Sequence, residues 1–398
     1  MPEVSSQTAP LQELHLASSS QRIPELDGLR GFAILLVMVC HYIANAGHRP
    51  LGLFVHRMLS GLTAGWSGVD LFFVLSGFLI GGILLESKNS PRFFQTFYLR
   101  RVHRILPIYY LWIFIYVATV SVIVFLVHRP VDVVGEGVPV SISDLAHVPR
   151  YFLFLQNILY SPGRLEWIWF VVVWSLAVEE QFYLLAPPLI RFLSRKTLVI
   201  TLVVAVVLAP FLRAVFFLYV PQLDHFSQFS MPCRADALSL GILAAIAWRW
   251  DPFKRFIQEH SEVLSRALLC LGLGVIGVYW WLVHPANLIT ITIGYTVLAF
   301  FYTTLLLSVL SGKLPVLTRL FRARWLQALG GISYCVYIVH DAINQLAHRI
   351  LLHAEPQIYN WSGVGTTLLA ALLTLAIASA SWKFLEKPLI RRGRKFSY

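Results

Sequence analysis

An arginine and a histidine share one apolar segment near the amino terminus. The segment at 24–42 reads PELDGLRGFAILLVMVCHY, and ten residues separate Arg30 from His41. Three helical turns cover about 11 residues and rise about 16 Å, so both side chains lie near one helix face at different depths. Ionisable groups inside a membrane segment are costly, and the pair therefore indicates function. The alternative is that Arg30 extends to the membrane interface while His41 bonds a backbone carbonyl.

Two further arginines follow the second apolar segment. In the motif FYLRRVHRILP, Arg101 and Arg104 are three residues apart and therefore share a helix face. Arginine matches phosphate geometry through paired hydrogen bonds, so the two residues predict a phosphate clamp that Arg30 could join. The alternative is that they anchor a membrane helix through positive charge on its cytoplasmic side.

Two acidic motifs supply carboxylates that could assist the histidine. The motif GVDLFFVLSGF holds Asp70, which by helix rise lies at a depth similar to that of His41. The motif WSLAVEEQFY holds Glu179 and Glu180, of which one should face the centre, because successive helical side chains point about 100° apart. A carboxylate beside a histidine holds its tautomer and stabilises the imidazolium. For Asp70 the alternative is a first-turn position favoured by the helix dipole.

Other polar residues in apolar segments are candidates for contacts with a substrate. They lie in the motifs WSLAVEEQFY, RADALSLG and GISYCVYIVH. An ion pair within the RADALSLG motif is the plain alternative for its two charged residues. The predicted substrate-binding residues are Trp174, Glu180, Arg234, Asp236, Tyr334 and His340.

Composition determines the elements that must position these residues. The chain of 398 residues is 57% hydrophobic and 13% charged, whereas soluble domains carry about 25% charged residues. Apolar runs of nearly membrane-spanning length recur throughout the sequence, which predicts an all-α polytopic membrane protein with about ten transmembrane helices. The predicted spans are 28–47, 66–86, 105–127, 168–190, 198–220, 236–250, 264–283, 287–310, 329–352 and 363–385.

The distribution of lysine and arginine predicts how these spans are oriented. With the amino terminus inside, the inside segments hold 21 of the 32 Lys and Arg residues and the outside segments hold seven. Cytoplasmic loops carry such an excess, so both termini are expected in the cytoplasm. The same asymmetry explains the net charge of +12 without a nucleic-acid partner. Residues 1–21 are expected to form a disordered cytoplasmic tail, and 393–398 a basic cytoplasmic tail.

Several catalytic chemistries have no motif here. The sequence has no GxSxG elbow, P-loop or HExxH motif, and its four cysteines are widely spaced, so neither an activated serine nor a metal nor a disulfide framework is expected. General-base chemistry by an intramembrane histidine remains. A rival interpretation is a proton-coupled transporter or flippase of a glycan or lipid precursor, in which buried histidines and carboxylates would relay protons.

The motifs together resemble one family. Arg-x10-His, GVDLFFVLSGFLI, FYLRRVHRILP, WSLAVEEQFYLL, RADALSLG, GISYCVYIVH and FLEKP occur in the order of the bacterial membrane acyltransferase-3 family, from residue 22 to about 392. The resemblance implies transfer of an acyl group, usually acetyl, from cytoplasmic acyl-CoA to a hydroxyl of an extracytoplasmic or lipid-linked glycan. It implies a multi-pass protein of the bacterial inner membrane.

The resemblance also implies roles for individual residues. Arg30 and His41 match the family's signature pair, and Arg101 with Arg104 matches its RxxR pair. The arginines are expected to hold the CoA phosphates. His41, assisted by Asp70 or Glu179, is expected either to deprotonate the acceptor hydroxyl or to carry the acyl group itself.

Two alternatives bear on partners and on the histidine. Many members carry a fused SGNH hydrolase-like domain, so this chain is expected to be a stand-alone form, which leaves open a separate periplasmic transferase that receives the acyl group. The other large superfamily of membrane O-acyltransferases has a catalytic histidine late in the chain, and membership there would favour His340 over His41.

Overall fold

The described part of the chain is built from α-helices. The computed structural model describes residues 23–44, 61–127, 142–159, 164–220, 224–281 and 288–398, and no β-strand occurs among them. This confirms the all-α prediction. In chain order the helices are α1 (Pro24–Val39), α2 (Gly68–Glu86), α3 (Phe93–Val122), α4 (Val148–Phe152), α5 (Arg164–Phe170), α6 (Trp174–Phe192), α7 (Arg195–Tyr219), α8 (Asp224–Phe229), α9 (Ala235–Trp248), α10 (Asp251–Glu259), α11 (Ser261–Trp281), α12 (Tyr295–Ser311), α13 (Pro315–Phe321), α14 (Arg324–Leu352), α15 (Trp361–Ser381) and α16 (Lys387–Gly393).

The lengths and composition of the helices confirm a polytopic membrane protein. Six continuous helical segments within the described ranges are long and apolar enough to cross a membrane. They contain α1, α2, α3, α7, α12 and α15. The pair α10 and α11, bent by 80°, makes a seventh span if it crosses as one unit. The predicted count of ten stays a prediction, and the predicted tail at 1–21 lies outside the described residues.

Two predicted spans have different boundaries in the structure. Helix α3 begins at Phe93 rather than near 105, so Arg101 and Arg104 lie within it. The segment predicted as one span at 168–190 is divided between α5 and α6. Side chains supply donors to the carbonyls at the break: Tyr337 donates to the oxygen of Val172 at 2.8 Å, and Gln156 donates to that of Val173 at 3.0 Å. These bonds satisfy backbone groups that a continuous helix would have satisfied internally.

Helices α1 and α14 pack with their backbones in contact. A Cβ atom on Gly31 would lie 2.0 Å from the carbonyl oxygen of Leu326, and one on Gly330 would lie 1.9 Å from that of Asp27. Real Cβ contacts do not come this close, so both positions require glycine, as at other small-residue helix crossings in membranes. The contact places the segment containing Arg30 beside α14.

Helices α2 and α9 cross in a similar way. A Cβ atom on Gly77 would lie 2.1 Å from the carbonyl oxygen of Leu238, and one on Gly241 would lie 2.3 Å from that of Val74. This crossing brings Asp70 of α2 close to the start of α9.

The last residues of the chain pack against α3. Thr96 donates a hydrogen bond to the carbonyl of Ser397 at 2.9 Å, and Arg100 donates through Nε to the carbonyl of Phe396 at 2.9 Å. The Arg100 guanidinium also lies over the Tyr398 ring, 4.9 Å from its centroid. The predicted basic tail is therefore docked beside the helix that carries Arg101 and Arg104.

Adjacent glycines of α14 provide a test of the backbone contact. Gly330→Ala should destabilise the protein by about 1–3 kcal/mol, because the new methyl group overlaps α1. Gly331→Ala should leave stability unchanged or raise it by up to about 1 kcal/mol, because no neighbouring group lies within 4 Å of where its Cβ atom would be and alanine favours helix. Thermal unfolding in detergent measures both, and equal melting temperatures for the two variants would contradict this packing.

Candidate active site

A cavity of about 960 Å³, counting its open mouth, lies between α1, α2, α3, α6 and α14. Its walls are mainly apolar, with residues such as Leu75, Leu79 and Ile80. Its polar residues include three arginines and two glutamates that the sequence singled out. These are Arg30, Arg101, Arg104, Glu179 and Glu180. The structure thus brings together residues from α1, α3 and α6.

The three arginines have no carboxylate within ion-pair distance in the described part of the chain. The Arg101 guanidinium instead lies over the rings of Phe97 and Tyr183, 5.6 Å and 5.3 Å from their centroids. Arg30 and Arg104 repel each other, and the nearby carboxylates of Asp27 and Glu179 offset part of this repulsion at Arg30. Cations gathered without direct partners favour the binding of an anion at this end of the cavity.

Glu179 belongs to the arginine cavity. Its carboxylate accepts hydrogen bonds from Ser76 at 2.6 Å and from Tyr183 at 3.2 Å. It also interacts electrostatically with Arg30. Its described contacts therefore lie on the cavity wall and not at His41. Glu180 interacts electrostatically with Arg101 in the same cavity.

His41 faces a second histidine across the contact between α1 and α14. It lies in a π-helical turn, Cys40–Ala44, that extends α1. Its Nδ1 is 3.3 Å from Nε2 of His340, and the two ring centroids are 4.9 Å apart. Of the two rings, that of His340 is fully buried, whereas His41 is half-buried. The structure thus brings together the two histidines that the sequence offered as rival catalytic residues.

Backbone carbonyls determine the tautomers of both rings. Nδ1 of His41 is 2.9 Å from the carbonyl oxygen of Val37, and Nδ1 of His340 is 2.9 Å from that of Tyr337. A carbonyl can only accept, so we assign the proton to Nδ1 in each neutral ring. The Nδ1 proton of His41 is then shared between two acceptors, the nearer carbonyl of Val37 and the more distant Nε2 lone pair of His340. This leaves Nε2 of His41 with a free lone pair, which a general base or a nucleophile requires.

Asp70 contacts an arginine, and within the described residues no hydrogen bond joins it to His41. Its Oδ1 accepts from Arg234 at 2.7 Å, and both side chains are buried. Asp236 likewise accepts from Arg213 at 2.9 Å, so the two charged residues of the RADALSLG motif pair with other helices and not with each other. Residues two apart on a helix point to different sides, which explains the crossed pairing. Helix rise predicted the depth of Asp70 but not the direction in which it points.

The two remaining predicted substrate-binding residues are aromatic, and only one of them lines the cavity. Tyr334 lines the cavity and donates to the carbonyl of Ile105 at 2.9 Å. Trp174 lies outside the cavity lining, where its ring packs against those of Phe73 and Phe229, with centroid distances of 6.2 Å and 4.7 Å.

Tyr337, which sequence reasoning missed, separates the cavity from the two histidines. Its side chain lines the cavity, and its ring centroid is 5.9 Å from that of His340. Its hydroxyl bonds to Ser175 at 2.5 Å and to the carbonyl of Val172 at 2.8 Å. The only signal in the sequence was its position one helical turn before His340. Ser76 and Tyr183, the partners of Glu179, had no distinguishing signal beyond their motifs.

A comparison with protein families identifies the family of the chain. A family described as an acyltransferase domain (acyltransferase 3) matches residues 23–383, nearly the whole chain. The chain belongs to this acyltransferase-3 family. The match includes every predicted site residue and confirms the family that the motifs resembled. No group of three His, Cys, Asp or Glu residues in the described ranges of this acyltransferase-3 chain could hold a metal ion.

Curated relatives of this acyltransferase-3 chain include three bacterial proteins. One is the peptidoglycan O-acetyltransferase OatA of Listeria monocytogenes, 26% identical over 94% of this chain. Another is the putative peptidoglycan O-acetyltransferase YrhL of Bacillus subtilis, 28% identical over 96% of this chain. The third is the O-acetyltransferase OatA of Staphylococcus aureus, 25% identical over 98%. The chain spans 57% to 60% of the length of these relatives. No solved structure matches it.

Variants of the Asp70–Arg234 ion pair test whether this buried pair stabilises the helices around the cavity. Arg234→Met should destabilise the protein by about 3–5 kcal/mol, because it leaves Asp70 charged and unpaired in a buried site. The double variant Asp70→Leu/Arg234→Met should recover most of that loss. Arg266→Met is a matched control, because Arg266 and its partner Glu262 are exposed, and it should change stability little. If the double variant were as unstable as Arg234→Met, the unpaired charge of Asp70 would not be the cause of the destabilisation. Chemical denaturation in detergent measures all three.

Proposed function

We propose that this chain transfers an acetyl group from acyl-CoA to a hydroxyl of a glycan. Membership of an acyltransferase family and the names of three O-acetyltransferase relatives support the proposal. The observation that carries it is the arginine-lined cavity, whose inner end at Tyr337 lies next to the His340–His41 pair. The arginines thus form an anion site at one end of the cavity, and the candidate base His41 lies past Tyr337 at the other end.

The donor would occupy the arginine cavity. Arg30, Arg101 and Arg104 would bind the phosphate groups of coenzyme A, because guanidinium groups match phosphate oxygens bidentately. The apolar wall would hold the pantetheine arm and direct the thioester toward Tyr337.

The two histidines would carry out the proton transfers. Nε2 of His41 takes the proton of the acceptor hydroxyl while the hydroxyl oxygen attacks the thioester carbonyl carbon. The carbon–sulfur bond then breaks, and His41 returns the proton to the sulfur, which yields an acetyl ester and free coenzyme A. Nε2 of His340 accepts from Nδ1 of His41 throughout and stabilises the imidazolium that forms. In a two-step variant, Nε2 of His41 attacks the thioester carbonyl carbon, the carbon–sulfur bond breaks, and coenzyme A leaves as the thiolate. The acceptor hydroxyl then attacks the acyl-imidazole, the carbon–nitrogen bond breaks, and the hydroxyl proton passes to the thiolate, which regenerates neutral His41.

The charge pattern of the chain suggests how this chemistry is placed across a membrane. The excess of lysine and arginine in the predicted inside segments supports both termini in the cytoplasm and the arginine cavity open to cytoplasmic acyl-CoA. The acceptor would then be an extracytoplasmic or lipid-linked glycan at a bacterial inner membrane, and peptidoglycan is favoured by the relatives' names. A separate periplasmic transferase could complete the transfer. Under this proposal 22–392 is the catalytic membrane domain, flanked by cytoplasmic tails.

His41→Ala should abolish most of the transfer. General acid–base catalysis contributes about 10²–10⁴-fold, so the rate of coenzyme A release from acetyl-CoA in the presence of peptidoglycan fragments should fall by that factor. His260→Ala is the control, because the described contacts of its exposed ring are local, a bond to the carbonyl of Phe256 and stacking on the Phe256 ring, and it should retain the wild-type rate. Near-normal release by correctly inserted His41→Ala protein would rule out this mechanism.

The double variant Arg101→Ala/Arg104→Ala should raise the KM for acetyl-CoA by at least about tenfold, because it removes charge-assisted hydrogen bonds to phosphate. The matched control is Arg391→Ala/Arg392→Ala, which removes the same charge from an exposed pair on α16. Steady-state kinetics with varied acetyl-CoA measure both. If the two double variants had the same KM, Arg101 and Arg104 would be anchoring charges.

A further inference from the structure

Two aromatic side chains form the inner end of the arginine cavity. Phe72 of α2 and Tyr337 of α14 both line it, and their rings meet edge to face with centroids 6.1 Å apart. The Tyr337 hydroxyl is bonded to Ser175 of α6 at 2.5 Å and to the carbonyl of Val172 at 2.8 Å. The tyrosine ring therefore cannot turn aside without losing both hydrogen bonds, and this fixes one side of the cavity end.

The residues around this aromatic pair leave it little room to move. Val69 and Phe73, which also line the cavity, are 8% and 1% exposed. The Phe73 ring packs against that of Trp174 with centroids 6.2 Å apart, and the Arg234 guanidinium lies over it, 5.5 Å from its centroid. A close-packed interior yields space only at a cost in stability. A molecule that enters from the arginine end therefore stops at the aromatic pair.

Helix α6 gives the distance from the arginines to this pair. The ring centroid of Tyr183 is 5.3 Å from the Arg101 guanidinium, and Ser175 bonds to Tyr337. Tyr183 and Ser175 are eight residues apart, or about 12 Å along the helix axis. The pantetheine arm has about twelve bonds from phosphate to sulfur, and an extended chain advances about 1.2 Å per bond, so the arm is about 14 Å long. The arm alone thus fills the depth of the cavity and brings the thioester to the aromatic pair.

We propose that Phe72 limits the length of the acyl group that the cavity accepts. The inference rests on the proposed function and identifies a specificity-determining residue of its donor site. With the thioester at the inner end, the methyl group of an acetyl thioester fits against the Phe72 ring, whereas further methylenes overlap it. Hydrogen bonds hold the other member of the pair, Tyr337, so Phe72 is the residue whose size can change without releasing a buried hydroxyl.

Truncation of Phe72 should admit a longer acyl chain. One methylene in an apolar pocket changes kcat/KM about 10–200-fold, so wild-type protein should use acetyl-CoA at least about 100-fold better than butyryl-CoA. Phe72→Ala should raise the butyryl-to-acetyl ratio of kcat/KM at least about tenfold, and Phe72→Leu should raise it by a smaller factor. The full chain in detergent is assayed for coenzyme A release with each thioester and peptidoglycan fragments.

Phe78→Leu is the matched control for Phe72→Leu. Phe78 is on the same helix and is 5% exposed, but it lies near Gly241 at the crossing with α9 and not in the described lining of the cavity. The control should lower the melting temperature, because part of a buried ring is lost, and should keep the wild-type ratio. Phe72→Leu, the milder change, decides the question if Phe72→Ala fails to fold.

Three results would overturn the inference. Wild-type protein that used butyryl-CoA as well as acetyl-CoA would show that nothing limits the acyl chain at this end. An unchanged ratio in both Phe72 variants would show that another residue sets the limit. An equal rise of the ratio in Phe78→Leu would indicate a general loosening of the helices.

Calorimetric binding of both thioesters without an acceptor separates this inference from the proposed transfer. If wild-type protein binds acetyl-CoA more tightly than butyryl-CoA and Phe72→Ala removes that preference, the limit at Phe72 stands even where no coenzyme A is released, and only the transfer fails. If wild-type protein binds neither thioester, the donor cavity and the limit at Phe72 are both refuted.

Discussion

The backbone contact between α1 and α14 is the constraint on which the candidate site depends. Because Gly31 and Gly330 have no side chains, the two helices approach until the backbone of each touches the other. Arg30 and His41 lie on one of these helices, and Tyr337 and His340 lie on the other. A larger residue at either glycine would move the anion site and the histidine pair together. The packing of α1 against α14 at these glycines thus fixes the positions of side chains several helical turns away.

The protein places its buried charges in two different ways. Around Arg234 and Asp70, each charge has a close opposite charge, and the cluster includes Arg213 and Asp236. Such a closed set stabilises the crossing of α2 and α9 only while all its members are present. In the cavity, by contrast, arginines lie together without ion pairs among the described residues. The difference separates charges that hold helices together from charges available to a ligand.

Sequence reasoning predicted the helical membrane fold and the convergence of Arg30, Arg101 and Arg104. These predictions rest on hydropathy and on positions at one end of adjacent helices, which local rules describe well. It did not predict the neighbour of His41. Helix rise gives the depth of a residue, but its neighbour depends on which helices pack together and how each is rotated. The partner, His340, is 299 residues away in sequence, and no local rule connects the two.

The length of α14 has a consequence for the predicted membrane span at 329–352. Arg324 and Arg349 are 25 residues apart on this helix, or about 37 Å along its axis, so in such a span both charged ends would reach the polar interfaces of a hydrocarbon core about 30 Å thick. Tyr337, midway between them, would then lie near the midplane. Its hydroxyl bonds to Ser175 of α6 and to the carbonyl of Val172 at the α5–α6 break, which holds the ring between the arginine cavity and His340. In that position the tyrosine would limit the leakage of protons through the cavity.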